Sequence, residues 1–166
     1  TPAPCRKFLK DAFKLLMNGT EDEVIDYIEQ CRKEFKSLPP AEVAFPRTVS
    51  NVEKWKSSSD MYLKGCPIHV RGAILYNHYT KKKQIDHKYA SINNGEKIKF
   101  CYLKTPNWMH ENVISFIQDF PTELDLDKHI DYELQFSKSF LEPVKVILDC
   151  IGWETERKNT LDSFFS

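Results

Sequence analysis

Few side chains in this sequence stand at spacings that could carry out covalent chemistry. Cys66 and His69 are three positions apart, the spacing of a metal-ligand pair or of a thiol beside a base. No second ligand pair follows at zinc-finger distance, and a Cys–His nucleophile would need partners the sequence does not supply. Asp125 and Asp127 have the D-x-D form that can hold two divalent cations. They stand just ahead of a helical stretch with no strand around them, where carboxylates serve the helix dipole. There is no glycine-rich phosphate loop. We therefore read no catalytic residues and no metal ligands, and a small enzyme using Cys66 and His69 is the least favoured of the alternatives.

Binding chemistry is better represented. The formal net charge is +0, with 24 basic and 24 acidic side chains, but the charges are segregated. Residues 1–63 hold 10 of each sign. Residues 64–104 hold 9 basic against 2 acidic, a local +7, and residues 105–166 hold 5 against 12, a local −7. Blocks of charge govern partner choice more than totals do. Lys81, Lys82, Lys83, Lys97, Lys99 and Lys104, interleaved with Tyr76, Tyr79 and Tyr102, fit a nucleic-acid backbone. Lysine reads charge, and the stretch has only Arg71 to recognise a base edge in the bidentate way. The expected binding is sequence-independent and salt-sensitive. The competing reading is a solvated basic face with Tyr76 and Tyr102 in the core.

A second binding signal closes the chain. Leu161, Phe164 and Phe165 lie at i, i+3 and i+4, so one helical turn puts all three on one side. Such anchors gain roughly 1.5–3 kcal/mol each when buried in a pocket. Net affinity on the order of micromolar follows once ordering costs are met. The alternative is a tail folded back on its own core.

These residues must be positioned by a chain of 166 residues, enough for one domain with a real core. It opens on Thr1, so it is expected to be a piece of something longer. No apolar run approaches a membrane span, so no membrane partner is expected. The cysteines at 5, 31, 66, 101 and 150 are scattered without a CxxC pair, as expected of reduced core thiols.

Residues 3–17 repeat Phe8, Leu9, Ala12, Phe13 and Leu16 at helical spacing after Thr1-Pro2, and Asn18-Gly19 stops them. Thr20 and Glu23 form a capping box for a second helix. Its seam of Val24, Ile28, Cys31, Phe35 and Leu38 packs on the first, so residues 1–38 are a helical hairpin. Residues 39–65, with prolines and Ser57-Ser58-Ser59, are expected to be an irregular, exposed and mobile connection.

Residues 66–104 form the basic segment. It starts with a helix that Pro67 initiates and that places Val70, Ala73, Ile74 and Asn77 on one face. A strand is the competing reading there, because Ile68, Val70, Ile74 and Tyr76 alternate with polar groups. Asn93-Asn94-Gly95 turns into a strand over 97–103, with Ile98, Phe100 and Tyr102 inward and Lys97 and Lys99 on the other face. Residues 113–117 form a second strand. A long helical region follows Asp125 and Asp127, and Pro143 starts a further helix with Val144, Ile147, Leu148 and Ile151 on its apolar face. The fold class is α+β, mostly helical: an N-terminal hairpin and C-terminal helices with a small β-sheet, in one domain over 1–166.

With these residues in view, the chain resembles the thumb subdomain of a B-family replicative DNA polymerase of T-even-like bacteriophages and their cyanophage relatives. Thr1-Pro2 and the two helices resemble the exit from palm into thumb. Cys66-Pro67-Ile68-His69-Val70-Arg71-Gly72, followed by Tyr76-Asn77, is similar to the phage-type thumb signature. Ile130-Asp131-Tyr132-Glu133, Phe140-Leu141-Glu142-Pro143-Val144 and Ile147-Leu148 resemble a late thumb pattern shared more widely. Leu161-x-x-Phe164-Phe165, in the tail 158–166, looks like a peptide that holds a sliding clamp, although Lys158 stands where such peptides carry Gln.

The resemblance implies a non-catalytic part of a DNA-directed DNA polymerase, inactive alone, that grips primer–template duplex and supports processivity. It implies His69, Arg71, Tyr76 and Asn77 as DNA-binding residues, beside the lysines already named. It implies Leu161, Phe164 and Phe165 as clamp-binding residues. Partners would be double-stranded primer–template DNA, a sliding clamp, and the palm and fingers of the same polymerase, in the cytoplasm of an infected bacterial host. No cofactor is implied in this chain, with Mg2+ expected in the palm of the whole polymerase. The alternative is a protein-interaction module acting mainly through the tail.

Overall fold

A computed structural model describes residues 1–157. In chain order it contains α1 (Ala3–Asn18), α2 (Glu21–Lys36), α3 (Pro40–Val43), β1 (Phe45–Thr48), α4 (Val52–Trp55), α5 (Ile68–Lys82), β2 (Lys97–Tyr102), β3 (Val113–Phe116), α6 (Tyr132–Phe136) and α7 (Glu142–Ile151). The class is α+β, as the sequence suggests. Length alone suggests one domain, and among the described residues two compact units stand out: Ala3–Leu38 with residues 136–157, and Pro39–Gln135.

The first unit contains the expected hairpin. Thr20 caps α2: its Oγ1 accepts from the Glu23 N–H and donates to Glu23 Oε1, each at 3.3 Å. Cys5, Phe8 and Ala12 of α1 are buried, as are Val24, Ile28, Cys31 and Phe35 of α2. Phe136 and Phe140 complete this core, with ring centroids 5.3 Å from Phe35 and 6.1 Å from Phe8 respectively. Burying each phenyl ring contributes about 1.5–3 kcal/mol. A π-helical turn, Ser137–Leu141, leads into α7. Pro143 stands in the first turn of α7, directly after the π-helical turn, and donates no N–H there. The apolar face predicted for α7 is only half used: Val144 and Leu148 are buried, while Ile147 and Ile151 are exposed.

The second unit is an antiparallel sheet of order β1-β2-β3 with α5 packed on β3. Phe45 pairs with Phe100, and Phe100 in turn with Ser115. The connection 39–65 departs from its expected irregularity. It supplies α3, α4 and the edge strand β1, and buries Val43, Ala44, Phe45, Val49 and Val52. Its prolines are loop signals in the sequence, yet Pro40 opens α3 and Pro46 sits on an edge strand. Both positions tolerate a missing donor.

The strand expected over 97–103 ends at Tyr102, and the one over 113–117 ends at Phe116. Strand β2 is covered on both faces rather than one. Ile98 and Phe100 are buried as expected, but Cys101 is fully buried too. Lys99 is drawn in beside it and donates from Nζ to Ala41 O at 3.1 Å. A single lysyl side chain thus leaves the anticipated solvent face.

The carboxylates Asp125 and Asp127 do not cap a long helix. Asp125 sits at φ 54 after a 3-10 turn, and Asp127 begins another such turn. The N–H of Leu134 in α6 is capped by Asp131, whose Oδ1 accepts it at 3.0 Å.

Helix α5 forms where the strand reading competes, and Pro67 immediately precedes it. Gly72 explains its seat. A Cβ there would lie 2.8 Å from Ser115 N, so only glycine allows this approach of helix to strand. Ser115 Oγ donates to His69 O at 2.9 Å, tying the same two elements together. Val70, Ala73 and Ile74 are buried as predicted, and so are Leu75, Tyr76 and Thr80. The helix is therefore enclosed on more than one side.

Candidate nucleic-acid interface

The DNA-binding candidates from the sequence all lie in the second unit, but the structure gives them different surroundings. His69 lies beside Phe100, with ring centroids 6.4 Å apart. Burial first, and then the Arg47 guanidinium, hold its imidazole below the usual value, so it is neutral at pH 7. Burial raises the Cys66 thiol, and the nearby Arg71 offsets only part of this. A neutral thiol and a neutral imidazole are the opposite of an activated nucleophile pair. Among the described residues, no three His, Cys, Asp or Glu side chains gather into a metal-binding set.

Arg71 faces Glu111, with Nη1 3.5 Å from Oε2, and both side chains are about four-fifths buried (21% and 19% exposed). Its guanidinium carbon lies 5.4 Å from the centre of the Tyr62 ring, whose hydroxyl donates to Glu111 Oε1 at 2.8 Å. Tyr76 is 2% exposed and donates to Ala90 O at 2.9 Å. Burial pushes its hydroxyl up to about 12. Asn77 bonds both main-chain groups of Ile92. Arg71, Tyr76 and Asn77 thus spend these polar groups within the fold.

The lysines also separate. The last turn of α5 carries them around the helix end, about 100° per residue, so Lys81 and Lys83 point to nearly opposite sides. Lys81 lines a groove of about 440 Å³ together with Lys56, Ser57, Ser58, Ser59, Asp60 and Met61. A neighbouring groove shares Lys56, Asn77 and Lys81 and adds Ser91, Asn93 and Asn94. The carboxylates of Asp60 and Glu53 and several apolar side chains share these grooves, and their two ammonium groups and serine hydroxyls suit phosphate oxygens. Lys56 is paired with Glu53 at 2.8 Å, whereas Lys81 has no ion pair among the described residues.

Lys82 and Lys83 lie over aromatic rings instead. Lys82 Nζ is 5.9 Å from the Tyr79 centroid, and Lys83 Nζ is 4.3 Å from the Trp108 centroid. Lys104 stands at the start of the loop that carries Trp108, and its main-chain carbonyl accepts from Asn107. Lys97 is exposed on β2, next to the partly buried Lys99.

Sequence reasoning does not single out Lys56, the serine turn 57–59 or Trp108. Ser57-Ser58-Ser59 reads only as a loop signal, and nothing in the spacing brings residue 56 to residue 81. The tail residues Leu161, Phe164 and Phe165 lie outside the described residues. No helix among the described residues is long and apolar enough to cross a membrane.

No protein-family model matches the chain. It is similar, at 25% identity over 169 residues and 99% of its length, to the DNA-directed DNA polymerase of Enterobacteria phage T4. It is also similar, at 25% identity over 171 residues and 99% of its length, to the DNA-directed DNA polymerase of Escherichia phage RB69. The chain spans 18% of the length of each of these relatives. The resemblance to part of a T-even-type phage polymerase therefore extends over nearly every residue.

Proposed function

We propose that this chain is a thumb-type, non-catalytic part of a phage DNA polymerase that holds primer–template duplex through its phosphates. The observation that carries this reading is that Lys56 and Lys81, with the serine hydroxyls between them, line one groove alongside Asp60, in a chain similar throughout to a segment of phage polymerases. Each lysine neutralises a phosphate and releases counterions, so affinity falls with salt and is indifferent to sequence. The internally bonded Arg71, Tyr76 and Asn77 support the reading indirectly, because they fix the helix from which Lys81 projects.

Tethering to a sliding clamp through Leu161, Phe164 and Phe165 belongs to the same proposal, as do the palm and fingers as neighbours and Mg2+ in that palm. So does a place in the cytoplasm of the infected host. The test is a double variant, K56A/K81A, titrated against labelled primer–template duplex over a range of salt. The slope of log affinity against log salt flattens by roughly 0.9 for each phosphate that is no longer neutralised. An unchanged slope would overturn the groove as the phosphate seat.

A further inference from the structure

Lys82 and Lys83 are not accounted for by the phosphate groove, and their surroundings are unlike it. Tyr79 and Trp108 meet edge to face with centroids 4.9 Å apart, and His78 meets Tyr79 in the same way at 4.8 Å. Both Tyr79 and Trp108 are half-buried, while His78, Lys82 and Lys83 are exposed. Neither lysine has a carboxylate partner among the described residues, and each ammonium group lies over a ring face.

The indole is held rigidly. Its Nε1 donates to Leu124 O at 2.8 Å. The loop that carries it is pinned by Asn107, whose Nδ2 donates to Lys104 O at 2.9 Å and to Glu111 O at 2.8 Å, and whose Oδ1 accepts from Met109 N at 3.0 Å. Met109, next along the loop, is buried. A fixed indole loses little entropy when something stacks on it. The face under Lys83 is covered by a lysine tip, which a flexible four-carbon stem can withdraw.

From this arrangement we infer that Trp108, Tyr79, Lys82 and Lys83 form a seat for an unpaired nucleobase of single-stranded DNA. The base stacks on the Trp108 face, and the displaced Lys83, with Lys82, meets the flanking phosphates. Aromatic stacking with adjacent cations is the chemistry by which single strands are held without sequence preference. A base inside a duplex has its faces covered by its neighbours and cannot use the seat. The inference rests on the proposed function only in taking DNA as the ligand, and it concerns a different side of α5.

The test is tryptophan emission. The chain has 3 tryptophans, so W55F/W153F leaves Trp108 as sole reporter. Titration with oligo-dT quenches its emission to a plateau. An abasic oligonucleotide of equal length, which keeps the phosphates and lacks the bases, binds at least about fivefold more weakly. K83A weakens oligo-dT binding about threefold or more, and by a larger factor than it weakens duplex binding.

Anisotropy on the unchanged chain repeats the dT-against-abasic comparison without the two substitutions. Equal affinity for the two oligonucleotides would overturn the seat, and so would equal quenching by blunt duplex. No oligo-dT binding at low salt would overturn it as well, while leaving duplex binding and its K56A/K81A test untouched.

Discussion

Asn77 holds the main chain of Ile92 from both sides: its Nδ2 donates to Ile92 O at 2.9 Å, and its Oδ1 accepts from Ile92 N at 2.7 Å. One side chain therefore stitches the middle of α5 to the segment that leads into β2, and it does so on the wall shared by the two grooves.

This relationship predicts the behaviour of N77A. Two main-chain groups lose their partner together, and the cost is about 2–4 kcal/mol of folding stability. Denaturant unfolding reads it as a lower midpoint. Because Asn77 is uncharged, the salt slope of DNA binding stays as it was, which separates a positioning role from the neutralising of a phosphate.

Gly72 gives a second expectation. G72A drives a methyl group into the main chain of Ser115 and destabilises the fold by roughly 1–3 kcal/mol. Adding S115A does not restore the loss, because the Ser115 nitrogen remains in the way and the Ser115–His69 hydrogen bond is gone as well. Thermal unfolding of the single and double variants checks this.

Tyr76 is one of the groups through which stability falls at alkaline pH. Burial raises its hydroxyl to about 12 in the fold, with Tyr89 and Glu96 adding to the shift, against an ordinary value of 10.0. The unfolded chain therefore loses its proton first. The contribution is complete below the unfolded value and is lost as the pH rises from there through the folded one. Stability falls across that window, and less steeply in Y76F, as denaturant midpoints measured at successive pH values would show.

The hairpin, α5 and the strands β2 and β3 are legible because their apolar residues recur at helix or strand spacing. Thr20 and Glu23 give the cap of α2 from a short stretch. What escapes is short or non-local. The strand β1 has four residues, one of them Pro46, and is a strand only because Phe100 and its neighbours pair with it.

The buried Gln135 gives no signal at all. Its amide donates to Val43 O at 2.8 Å, and its carbonyl accepts from Tyr102 N at 2.9 Å, partners 92 and 33 positions away. The site follows the same rule. Composition locates the basic third of the chain, whereas the helix turn decides that Lys81 shares a groove with Lys56 and that Lys83 lies over Trp108.

Removing residues 161–166 tests the tail separately. On the proposed function, the truncated chain is expected to lose binding to a sliding clamp and to keep its affinity for duplex DNA. Retained clamp binding would remove Leu161, Phe164 and Phe165 from that role.

The most direct test of the central proposal is fluorescence anisotropy of a labelled primer–template duplex titrated with the unchanged chain at low and near-physiological salt. Duplexes of unrelated sequence are predicted to bind equally, with affinity falling steeply as salt rises. Absence of binding at low salt, or binding that depends on sequence and ignores salt, would contradict a phosphate-gripping role for this chain.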